Sequence, residues 1–351
     1  MKEFWSKRIQ DITPYTPGEQ PKDRQFIKLN TNECPYQPPD KVVDATREAA
    51  KDLNRYPDPE CTQLRAALAK REGLKPEQVF CGNGSDEILA FAFQAFFDPD
   101  REVVFPEVTY SFYPVYADFF GLSYRKIPMN PDFTIPINLL CGNNGGVVLA
   151  NPHAPTGIAV GLDVVEKILR ANPGVVVIVD EAYVDFGADS AVGLIGKYPN
   201  LLVVQTVSKS RALAGLRVGW AMGNENLIAA LRCVRDSGNS YTVDRLAQAG
   251  AAAAIEDEEY FQTVRKQVTD TRAWTARALK EKGFKVLPSQ ANFLFISHPN
   301  HSGRELLAGL RERGILVRWW DKPEIENWLR VSIGTQEEME ALVRALDALV
   351  S

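Results

Sequence analysis

The chain contains the run Val175-Val176-Val177-Ile178-Val179-Asp180-Glu181-Ala182-Tyr183, in which five β-branched residues are followed by a carboxylate. An unbroken apolar run of this kind is typical of a strand that is buried on both faces of a parallel sheet. Asp180 therefore lies at the carboxyl end of an interior strand, where open α/β sheets bind their ligands. Because a buried carboxylate is costly without a cation or strong donors, we expect Asp180 to face a positive group. Tyr183 is close enough in sequence for its hydroxyl to reach the same ligand.

Shorter apolar runs alternate with helical patterns on both sides of this strand, from about residue 40 onward. The predicted strands are 79–80, 103–105, 147–149, 175–179 and 201–204, and the predicted helices are 41–53, 62–73, 85–97, 161–171 and 224–235. Strands that are apolar throughout and separated by helices indicate an α/β fold with a mostly parallel sheet flanked by helices.

A second pattern begins after the alanine-rich stretch 246–255. The predicted elements there are a long charged helix at 257–282, strands at 284–287, 292–296, 315–318 and 328–333, a helix at 303–313, and a last helix that begins at the capping box Thr335–Glu338. We expect an N-terminal arm (1–33) that packs with the small domain, a large domain (34–255) and a small α+β domain (256–351). Prolines in the first 39 residues favour an extended arm.

The composition excludes several classes of protein and site. The chain has 351 residues, 45% hydrophobic and 24% charged, with a net charge of −5, so we expect a globular protein that binds no nucleic acid. No apolar run approaches the length of a membrane span and the N-terminus lacks a signal-peptide pattern, which predicts a cytoplasmic protein without a membrane partner. Five widely spaced cysteines and three histidines offer no zinc-ligand spacing, so no metal is expected.

A glycine turn follows the predicted strand at 79–80 and reads Cys81-Gly82-Asn83-Gly84-Ser85-Asp86-Glu87. Glycines let the backbone approach a ligand closely, and the free N–H groups of a helix N-terminus favour an anion such as phosphate. An ordinary turn capped by Ser85 or Asp86 has the same pattern, so the turn alone does not establish a binding role.

A lysine between two hydroxyl side chains follows the predicted strand at 201–204, in the segment Thr206-Val207-Ser208-Lys209-Ser210, and Arg217 lies further along. A single lysine after a strand is usually a solvated side chain. With the glycine turn and Asp180, however, Lys209 completes a set of three features: an anion cradle, a carboxylate for a ring cation and an amine able to form a Schiff base. A pyridoxal phosphate enzyme requires these three features of its protein.

Motifs in several parts of the chain occur in the order found in one known family. They are Leu29–Glu33, Arg55–Asp58, Gly82–Glu87, Thr109–Tyr113, Asn151–Gly157, Asp180–Tyr183, Thr206–Arg217, Ala291–Phe293 and Leu329–Val331. Over nearly its whole length the chain resembles the fold-type I pyridoxal-phosphate-dependent aminotransferases, and most closely their histidinol-phosphate branch. The resemblance implies pyridoxal 5′-phosphate as cofactor, bound by the large domain, and amino-group transfer between L-histidinol phosphate and 2-oxoglutarate in histidine biosynthesis. It also implies a homodimer, in which Tyr56 reaches the cofactor of the neighbouring subunit.

The resemblance implies roles for the residues of the cofactor site. Lys209 is expected to hold the cofactor covalently and to move the proton at the substrate α-carbon. Asp180 is expected to keep the pyridine nitrogen protonated, and Tyr183 to donate to the ring 3′ oxygen. The implied phosphate ligands are Gly84, Ser85, Asp86, Thr206, Ser208 and Arg217. Tyr110 is expected to stack on the pyridine face, with Tyr113 as the competing candidate.

One motif departs from the family pattern. The family sequence Asn-Pro-Asn-Asn-Pro-Thr-Gly reads Asn151-Pro152-His153-Ala154-Pro155-Thr156-Gly157 in this chain. The asparagine that donates to the ring oxygen is thus replaced by Ala154. Its role then falls to Tyr183 alone or to Asn151.

For the substrate, the resemblance points to Arg330 as the residue that binds the anionic end. Arg318 would supply a second guanidinium, which suits a phosphate dianion; the alternative for Arg318 is a surface charge at a strand end. Further candidates for the substrate pocket are Tyr15, Asn32, Glu33 and Asn292. The alternative functions are an aromatic amino-acid aminotransferase, a threonine-phosphate decarboxylase of the same fold, and a binding protein without catalysis, which the presence of Lys209 disfavours.

Overall fold

The structure is a computed structural model and describes residues 4–22 and 24–351. Its strands are Ile27–Leu29 (β1), Val79–Gly82 (β2), Val103–Pro106 (β3), Tyr124–Ile127 (β4), Gly146–Ala150 (β5), Val177–Asp180 (β6), Leu201–Thr206 (β7), Gly219–Gly223 (β8), Lys285–Val286 (β9), Phe293–Ser297 (β10), Ile315–Val317 (β11) and Leu329–Ser332 (β12). Its α-helices are Lys7–Gln10 (α1), Asp40–Ala49 (α2), Thr62–Glu72 (α3), Gly84–Phe96 (α4), Phe112–Phe120 (α5), Leu162–Ala171 (α6), Glu225–Gly238 (α7), Arg245–Glu256 (α8), Glu258–Glu281 (α9), Gly303–Glu312 (α10) and Gln336–Val350 (α11). Within the described residues, no helix combines the length and the apolarity that crossing a bilayer requires.

The larger sheet has the strand order β2-β8-β7-β6-β5-β3-β4. Its neighbouring strands pair in parallel except at β8, which runs antiparallel to both β2 and β7. The prediction of a mostly parallel sheet is therefore confirmed. The apolar runs of the sequence correspond to β2, β3, β5, β6 and β7.

Side chains of the inner strands alternate between two apolar cores. Val177 and Val179 of β6 belong to one core, together with residues of α3, α6 and α8. Ile178 belongs to the other core, with residues of α4, α5 and α7. Because helices cover both faces of the sheet, only the strand ends can present polar groups to a ligand. The carboxyl ends of β6 and β7 are therefore where binding chemistry is concentrated.

The C-terminal region has its own core around the antiparallel sheet β12-β10-β9. Residues of α9, α10 and α11 pack into this core. Helix α11 begins at the predicted capping box, in which the Thr335 side chain accepts a hydrogen bond from the N–H of Glu338. Strand β1 pairs in parallel with β11, so the N-terminal arm joins this part of the molecule.

Strand β8 is not predicted by the sequence patterns, and its composition explains why. Glycines at both ends, Gly219 and Gly223, weaken the strand pattern. Gly219 is required by close packing, because a Cβ there would lie 2.5 Å from the backbone nitrogen of Ser85. A smaller difference concerns α2, which ends at Ala49, where a tighter 3-10 turn replaces the last part of the predicted helix.

Candidate active site

Most of the predicted site residues meet in one cleft at the carboxyl ends of β6 and β7. The cleft encloses about 940 Å³, including the solvent at its mouth, a size that suits a small-molecule ligand. Predicted site residues that line it are Tyr15, Ser85, Asp86, Tyr110, Asp180, Tyr183, Thr206, Ser208, Lys209, Arg217, Arg318 and Arg330. Strand β6 ends on Asp180 and β7 ends on Thr206, so the parallel sheet itself brings the two following segments to one edge.

One part of the cleft is shaped for an anion by the first turn of α4. Gly84 opens this helix with a φ of 82°, in the left-handed region that favours glycine. A Cβ at Gly84 would lie 2.6 Å from Arg217 Nη2, so the absence of a side chain lets the guanidinium reach the helix N-terminus. A helix N-terminus and an arginine fork both favour a negatively charged group such as phosphate.

Asp86 connects two walls of this anion site. One of its carboxylate oxygens accepts a hydrogen bond from Tyr110 Oη at 2.7 Å, and the other lies 3.2 Å from Arg217 Nη2. Because the carboxylate itself would repel an anion, Asp86 contributes here by orienting those two side chains.

Two hydroxyl groups from the end of β7 face the same region. Thr206 Oγ1 lies 2.8 Å from the carbonyl oxygen of Val218 and 2.9 Å from Ser208 Oγ. Since the carbonyl oxygen can only accept, Thr206 donates its proton there. The Ser208 hydroxyl therefore keeps a proton that it can donate to Thr206 or to a ligand.

Asp180 is buried at the end of β6 and is held by two donors. Its Oδ2 accepts from Tyr113 Oη at 2.7 Å, and its Oδ1 accepts from the N–H of Ala182 at 3.1 Å. Burial raises the pKa of Asp180 to about 6 despite these hydrogen bonds. A carboxylate in this state gains stability from any cation that enters the cleft.

The structure separates the two tyrosines that the sequence leaves as alternatives. Tyr110 lines the cleft. Tyr113 is fully buried outside the cleft lining and donates to Asp180. The role of Tyr113 as a support for the carboxylate is missed by sequence analysis, because the two tyrosines lie in one aromatic stretch whose facing depends on how α5 packs.

Lys209 carries the amine of the cleft. Its Nζ lies 3.2 Å from the carbonyl oxygen of Thr31 and 5.9 Å from the centroid of the Tyr183 ring. Burial, together with the positive charge of Arg330, lowers the pKa of Lys209 to about 8. Near neutral pH, a larger fraction of this amine is therefore neutral and nucleophilic than of an exposed lysine.

Two guanidinium groups form another part of the cleft wall. Arg330 Nη2 donates to the carbonyl oxygen of Asn30 at 3.0 Å. The buried Nε of Arg330 has no hydrogen-bond partner among the residues that the structure describes. Arg318 donates to the carbonyl oxygens of Thr16 and Pro17, on the N-terminal arm, at 2.9 and 3.2 Å. Arg330 can therefore donate a further hydrogen bond to an anionic ligand, and Arg318 can exchange its bonds to the arm for bonds to such a ligand.

Trp320 is a wall residue that sequence analysis does not single out. The Cζ atoms of Arg318 and Arg330 lie 5.5 and 5.3 Å from its ring centroid, so one indole contacts both cations. The neighbouring Trp319 faces elsewhere, and its Nε1 donates to the carbonyl oxygen of Glu326 at 2.7 Å. A pair of tryptophans directly after Arg318 is the signal in the sequence, but it does not tell which ring faces the cleft.

Asn151 does not lie in the cleft lining, unlike the neighbouring Ala154. Its Oδ1 accepts from the N–H of Val160 at 2.9 Å, and its Nδ2 donates to the carbonyl oxygen of Val160 at 3.2 Å. Both ends of the amide are thus used to hold the backbone of the loop. The structure therefore does not bring Asn151 to the position of a ligand donor.

Other predicted site residues lie at or behind the edge of the cleft. Asn32 and Asn292 are buried behind its wall, where Asn292 Nδ2 donates to the carbonyl oxygen of Asn32 at 3.0 Å. Glu33 forms an ion pair with Lys28 at 2.7 Å instead of lining the cleft. Tyr56 is 77% exposed.

Comparison with known proteins identifies the family. Residues 24–346 match the family described as aminotransferase class I and II. The chain is 51% identical over 98% of its length to the histidinol-phosphate aminotransferase of Acinetobacter baumannii (strain SDF), of which it covers 96%. It is 49% identical over its full length to histidinol-phosphate aminotransferase 1 of Oceanobacillus iheyensis, of which it covers 99%.

Solved structures show the same architecture. The histidinol-phosphate aminotransferase from Sinorhizobium meliloti, in complex with pyridoxal-5′-phosphate, matches with a TM-score of 0.90 and 25% identity over 99% of this chain and 97% of that chain. The aspartate aminotransferase from Thermus thermophilus with maleate shares the fold, with a TM-score of 0.83 and 21% identity over 98% of this chain and 99% of that chain. The chain therefore belongs to the class I and II aminotransferases, and within them it is similar over its full length to the histidinol-phosphate aminotransferases.

Proposed function

We propose that the chain is a pyridoxal-phosphate-dependent aminotransferase that transfers the amino group between L-histidinol phosphate and 2-oxoglutarate in histidine biosynthesis. One observation carries this proposal: a single cleft holds an amine of lowered pKa, a buried carboxylate at a strand end, and two arginines. Full-length relatives near 50% identity that bear the name histidinol-phosphate aminotransferase support the choice of substrate.

The residues of the cleft fit pyridoxal phosphate by their chemistry. The first turn of α4 and Arg217 suit its phosphate, because Gly84 leaves no Cβ between the helix N-terminus and the guanidinium. Asp180 suits a protonated ring nitrogen, which would offset the cost of its burial. Lys209 offers an amine for the aldehyde. When bound, the cofactor supplies an electron sink that stabilises negative charge at the substrate α-carbon.

Lys209 is the residue that moves a proton in the proposed reaction. A base for the substrate α-carbon must be neutral, and burial has already lowered the pKa of Lys209 to about 8. The contact between Lys209 Nζ and the carbonyl oxygen of Thr31, at 3.2 Å, holds the amine on the cleft side of the arm. Asp180 complements this base, since its carboxylate, held by the hydrogen bond from Tyr113, would favour a protonated ring nitrogen.

Arg318 and Arg330 are the proposed ligands of the substrate's anionic end. Their guanidinium groups both contact the Trp320 ring, which places two forks beside one indole of the wall. A phosphate ester can accept hydrogen bonds from both, and a carboxylate of 2-oxoglutarate can use the same donors in the second half of the reaction.

We also propose a homodimer in which Tyr56 contributes to the neighbouring subunit's cofactor site. Tyr56 is exposed and stacks on Tyr241, which is itself 44% exposed. An apolar groove formed in part by Val42, Val43 and Leu216 offers further surface that a second subunit would cover. A cytoplasmic location belongs to the same proposal, because all five cysteines are free thiols.

A half-reaction screen tests the proposed function. The protein loaded with pyridoxal phosphate is mixed separately with histidinol phosphate, phenylalanine, aspartate and threonine phosphate, and the change in visible absorption is followed. We expect histidinol phosphate to react with the highest kcat/KM, and Lys209→Ala to abolish both the covalent attachment of the cofactor and the reaction. Faster reaction with phenylalanine, or release of carbon dioxide from threonine phosphate, would replace this function by one of the alternatives.

A further inference from the structure

Three consecutive residues of the N-terminal arm each contact a different functional group of the cleft. The contacts are Arg330 Nη2 to Asn30 O at 3.0 Å, Lys209 Nζ to Thr31 O at 3.2 Å, and Asn32 Nδ2 to Tyr183 Oη at 3.0 Å. Two of these contacts use the backbone of the arm, so any residue type could make them. The third uses the side-chain amide of Asn32, so it depends on the residue type at this position.

The direction of the hydrogen bond between Asn32 and Tyr183 is fixed by Ser332. The backbone N–H of Asn32 donates to Ser332 Oγ at 2.8 Å, so this oxygen accepts one proton and keeps its own to donate. Ser332 Oγ lies 2.8 Å from Asn32 Oδ1, which receives that proton. The other end of the amide, Nδ2, therefore faces Tyr183 Oη, and it can only donate.

The surroundings hold Asn32 in this orientation. Asn32 and Ser332 are buried, and Asn292 Nδ2 donates to the carbonyl oxygen of Asn32 at 3.0 Å. The backbone of Asn32 has a φ of 56°, a left-handed conformation that asparagine adopts more readily than most residues. Flipping this buried side-chain amide would cost free energy, because its donor and its acceptor would both lose their hydrogen-bond partners.

We propose that Asn32 is a positioning residue that makes Tyr183 a donor into the cleft, toward the ring oxygen of pyridoxal phosphate. The proposal rests on the proposed function. Since Tyr183 Oη already accepts a proton from Asn32, its own proton is left for a partner on the cleft side, where the tyrosine lines the wall. Ala154 lines the same cleft and brings no donor, so the ring oxygen depends on Tyr183 for this hydrogen bond.

A double-mutant cycle read from the visible absorption of bound pyridoxal phosphate tests this role. A hydrogen bond from Tyr183 to the negatively charged ring oxygen lowers the pH at which the bound chromophore titrates. Asn32→Gly removes the amide and accepts the left-handed backbone without strain. We expect it to raise the titration midpoint by about one pH unit, and by no more than Tyr183→Phe does. In the Tyr183→Phe background, Asn32→Gly should cause no further shift.

Two further variants separate orientation from simple loss of packing. Ser332→Ala keeps the amide of Asn32 but frees it to flip, and it should cause a smaller upward shift that also disappears without the Tyr183 hydroxyl. Asn144→Ala is the matched control, since this buried amide donates to Leu140 O and Asn172 Oδ1 outside the cleft, at 3.0 and 2.9 Å. It should lower the melting temperature and leave the midpoint unchanged.

The outcomes distinguish this role from the function on which it rests. A wild-type midpoint in folded Asn32→Gly, or an equal shift with and without the Tyr183 hydroxyl, would overturn the role of Asn32. If Asn32→Gly does not fold, the cycle between Ser332→Ala and Tyr183→Phe decides in the same way. A wild-type protein that gains no visible absorption with pyridoxal phosphate would instead refute the proposed function.

Discussion

Burial changes the pKa values of Asp180 and Lys209 in opposite directions, and both changes favour the neutral form. The pKa of Asp180 rises to about 6 and that of Lys209 falls to about 8, with burial as the largest cause in each case. For the lysine this change prepares a base at neutral pH. For the carboxylate, burial makes the charged form costly, and a cationic ring nitrogen would offset this cost.

This cost predicts that the contribution of Asp180 to the stability of the cofactor-free protein falls as the pH rises from about 4 to about 6. The unfolded carboxyl of Asp180 loses its proton near pH 3.8, whereas the folded one keeps it to about pH 6. At this group the folded state thus binds more protons in this window, and its contribution to the free energy of unfolding falls with rising pH. We expect this contribution to fall by about 2–3 kcal/mol, measured by urea unfolding as the difference between the unsubstituted protein and Asp180→Asn.

Asp180→Asn provides the comparison, because it removes the titrating group: the free energy of unfolding of the unsubstituted protein should fall relative to that of Asp180→Asn across this window. Saturating pyridoxal phosphate should remove the Asp180 contribution from the profile of the unsubstituted protein as well. Glu181, whose pKa burial raises to about 7, and His153, whose pKa burial lowers to about 4, titrate in both proteins, so their contributions cancel in the difference. Identical pH profiles for the two apoproteins would contradict the prediction.

Trp320 carries a second prediction at the scale of single residues. Replacing it by leucine removes one ring that contacts the guanidinium groups of both Arg318 and Arg330. A cation–π contact contributes about 0.5–2 kcal/mol. We therefore expect Trp320→Leu to raise KM for histidinol phosphate by roughly two- to thirtyfold with a smaller change in kcat.

Trp319→Leu is the matched control, since the Trp319 ring contacts Arg304, with Cζ 4.9 Å from its centroid, and not the arginines of the cleft. It should lower stability and leave KM close to the wild-type value. Equal KM values in the Trp320 and Trp319 variants would place the phosphate subsite elsewhere.

At the scale of elements, the start of α4 depends on glycine for two separate reasons. Gly84 has a positive φ of 82°, and a Cβ there would lie 2.6 Å from Arg217 Nη2. We expect Gly84→Ala to displace the guanidinium and weaken pyridoxal phosphate binding at least tenfold, as loss of a charge-assisted hydrogen bond of about 1.5–3 kcal/mol implies. Equilibrium titration of the apoprotein measures this affinity.

Gly73→Ala is the matched control for Gly84→Ala, because it has the same backbone strain without the steric clash. Its φ of 67° is also positive, but a Cβ at Gly73 would meet no atom within 4 Å. Gly73→Ala should therefore lower stability by about 1 kcal/mol and leave cofactor affinity unchanged. Equal affinity losses in both variants would show that general destabilisation, and not the position of Arg217, weakens binding.

The sequence predicts those elements whose signal is local. Strand β6 and its terminal Asp180 follow from one apolar run, and the α4 turn follows from glycine and cap residues that are adjacent in sequence. Strand β8 escapes prediction because its glycines serve close packing against Ser85. The contact of Asn32 with Tyr183 spans 151 positions, and no local pattern encodes it. For the same reason the pairing of Asn151 with the loop backbone becomes visible only in the fold.

At the scale of the whole molecule, the cleft is assembled from parts of the chain that are far apart. Tyr15 comes from the arm, Lys209 from the region of the large sheet, and Arg330 from β12. The predicted division between a large and a small domain at 255/256 falls near the junction of α8 and α9, and it stays a prediction. A cleft built in this way couples substrate binding to the relative placement of all three parts.

The proposed homodimer makes a prediction that only mixed dimers can test. If Tyr56 serves the neighbouring subunit, a dimer of one Lys209→Ala chain and one Tyr56→Ala chain contains one intact site, formed by the lysine of one chain and the tyrosine of the other. Co-expressed and purified mixed dimers should therefore attach pyridoxal phosphate covalently at one site per dimer, with wild-type affinity. Homodimers of Tyr56→Ala should bind it more weakly at both sites.

Phe119→Ala is the control for loss of an exposed aromatic side chain, since Phe119 is 38% exposed. It should leave cofactor affinity unchanged. A Tyr56 that acts within its own chain gives a different result, because the only covalent site of the mixed dimer would then lack the tyrosine and keep the weakened affinity. Sedimentation of the wild-type protein at the mass of one chain would remove the basis of the prediction, because no neighbouring subunit would be present to receive Tyr56.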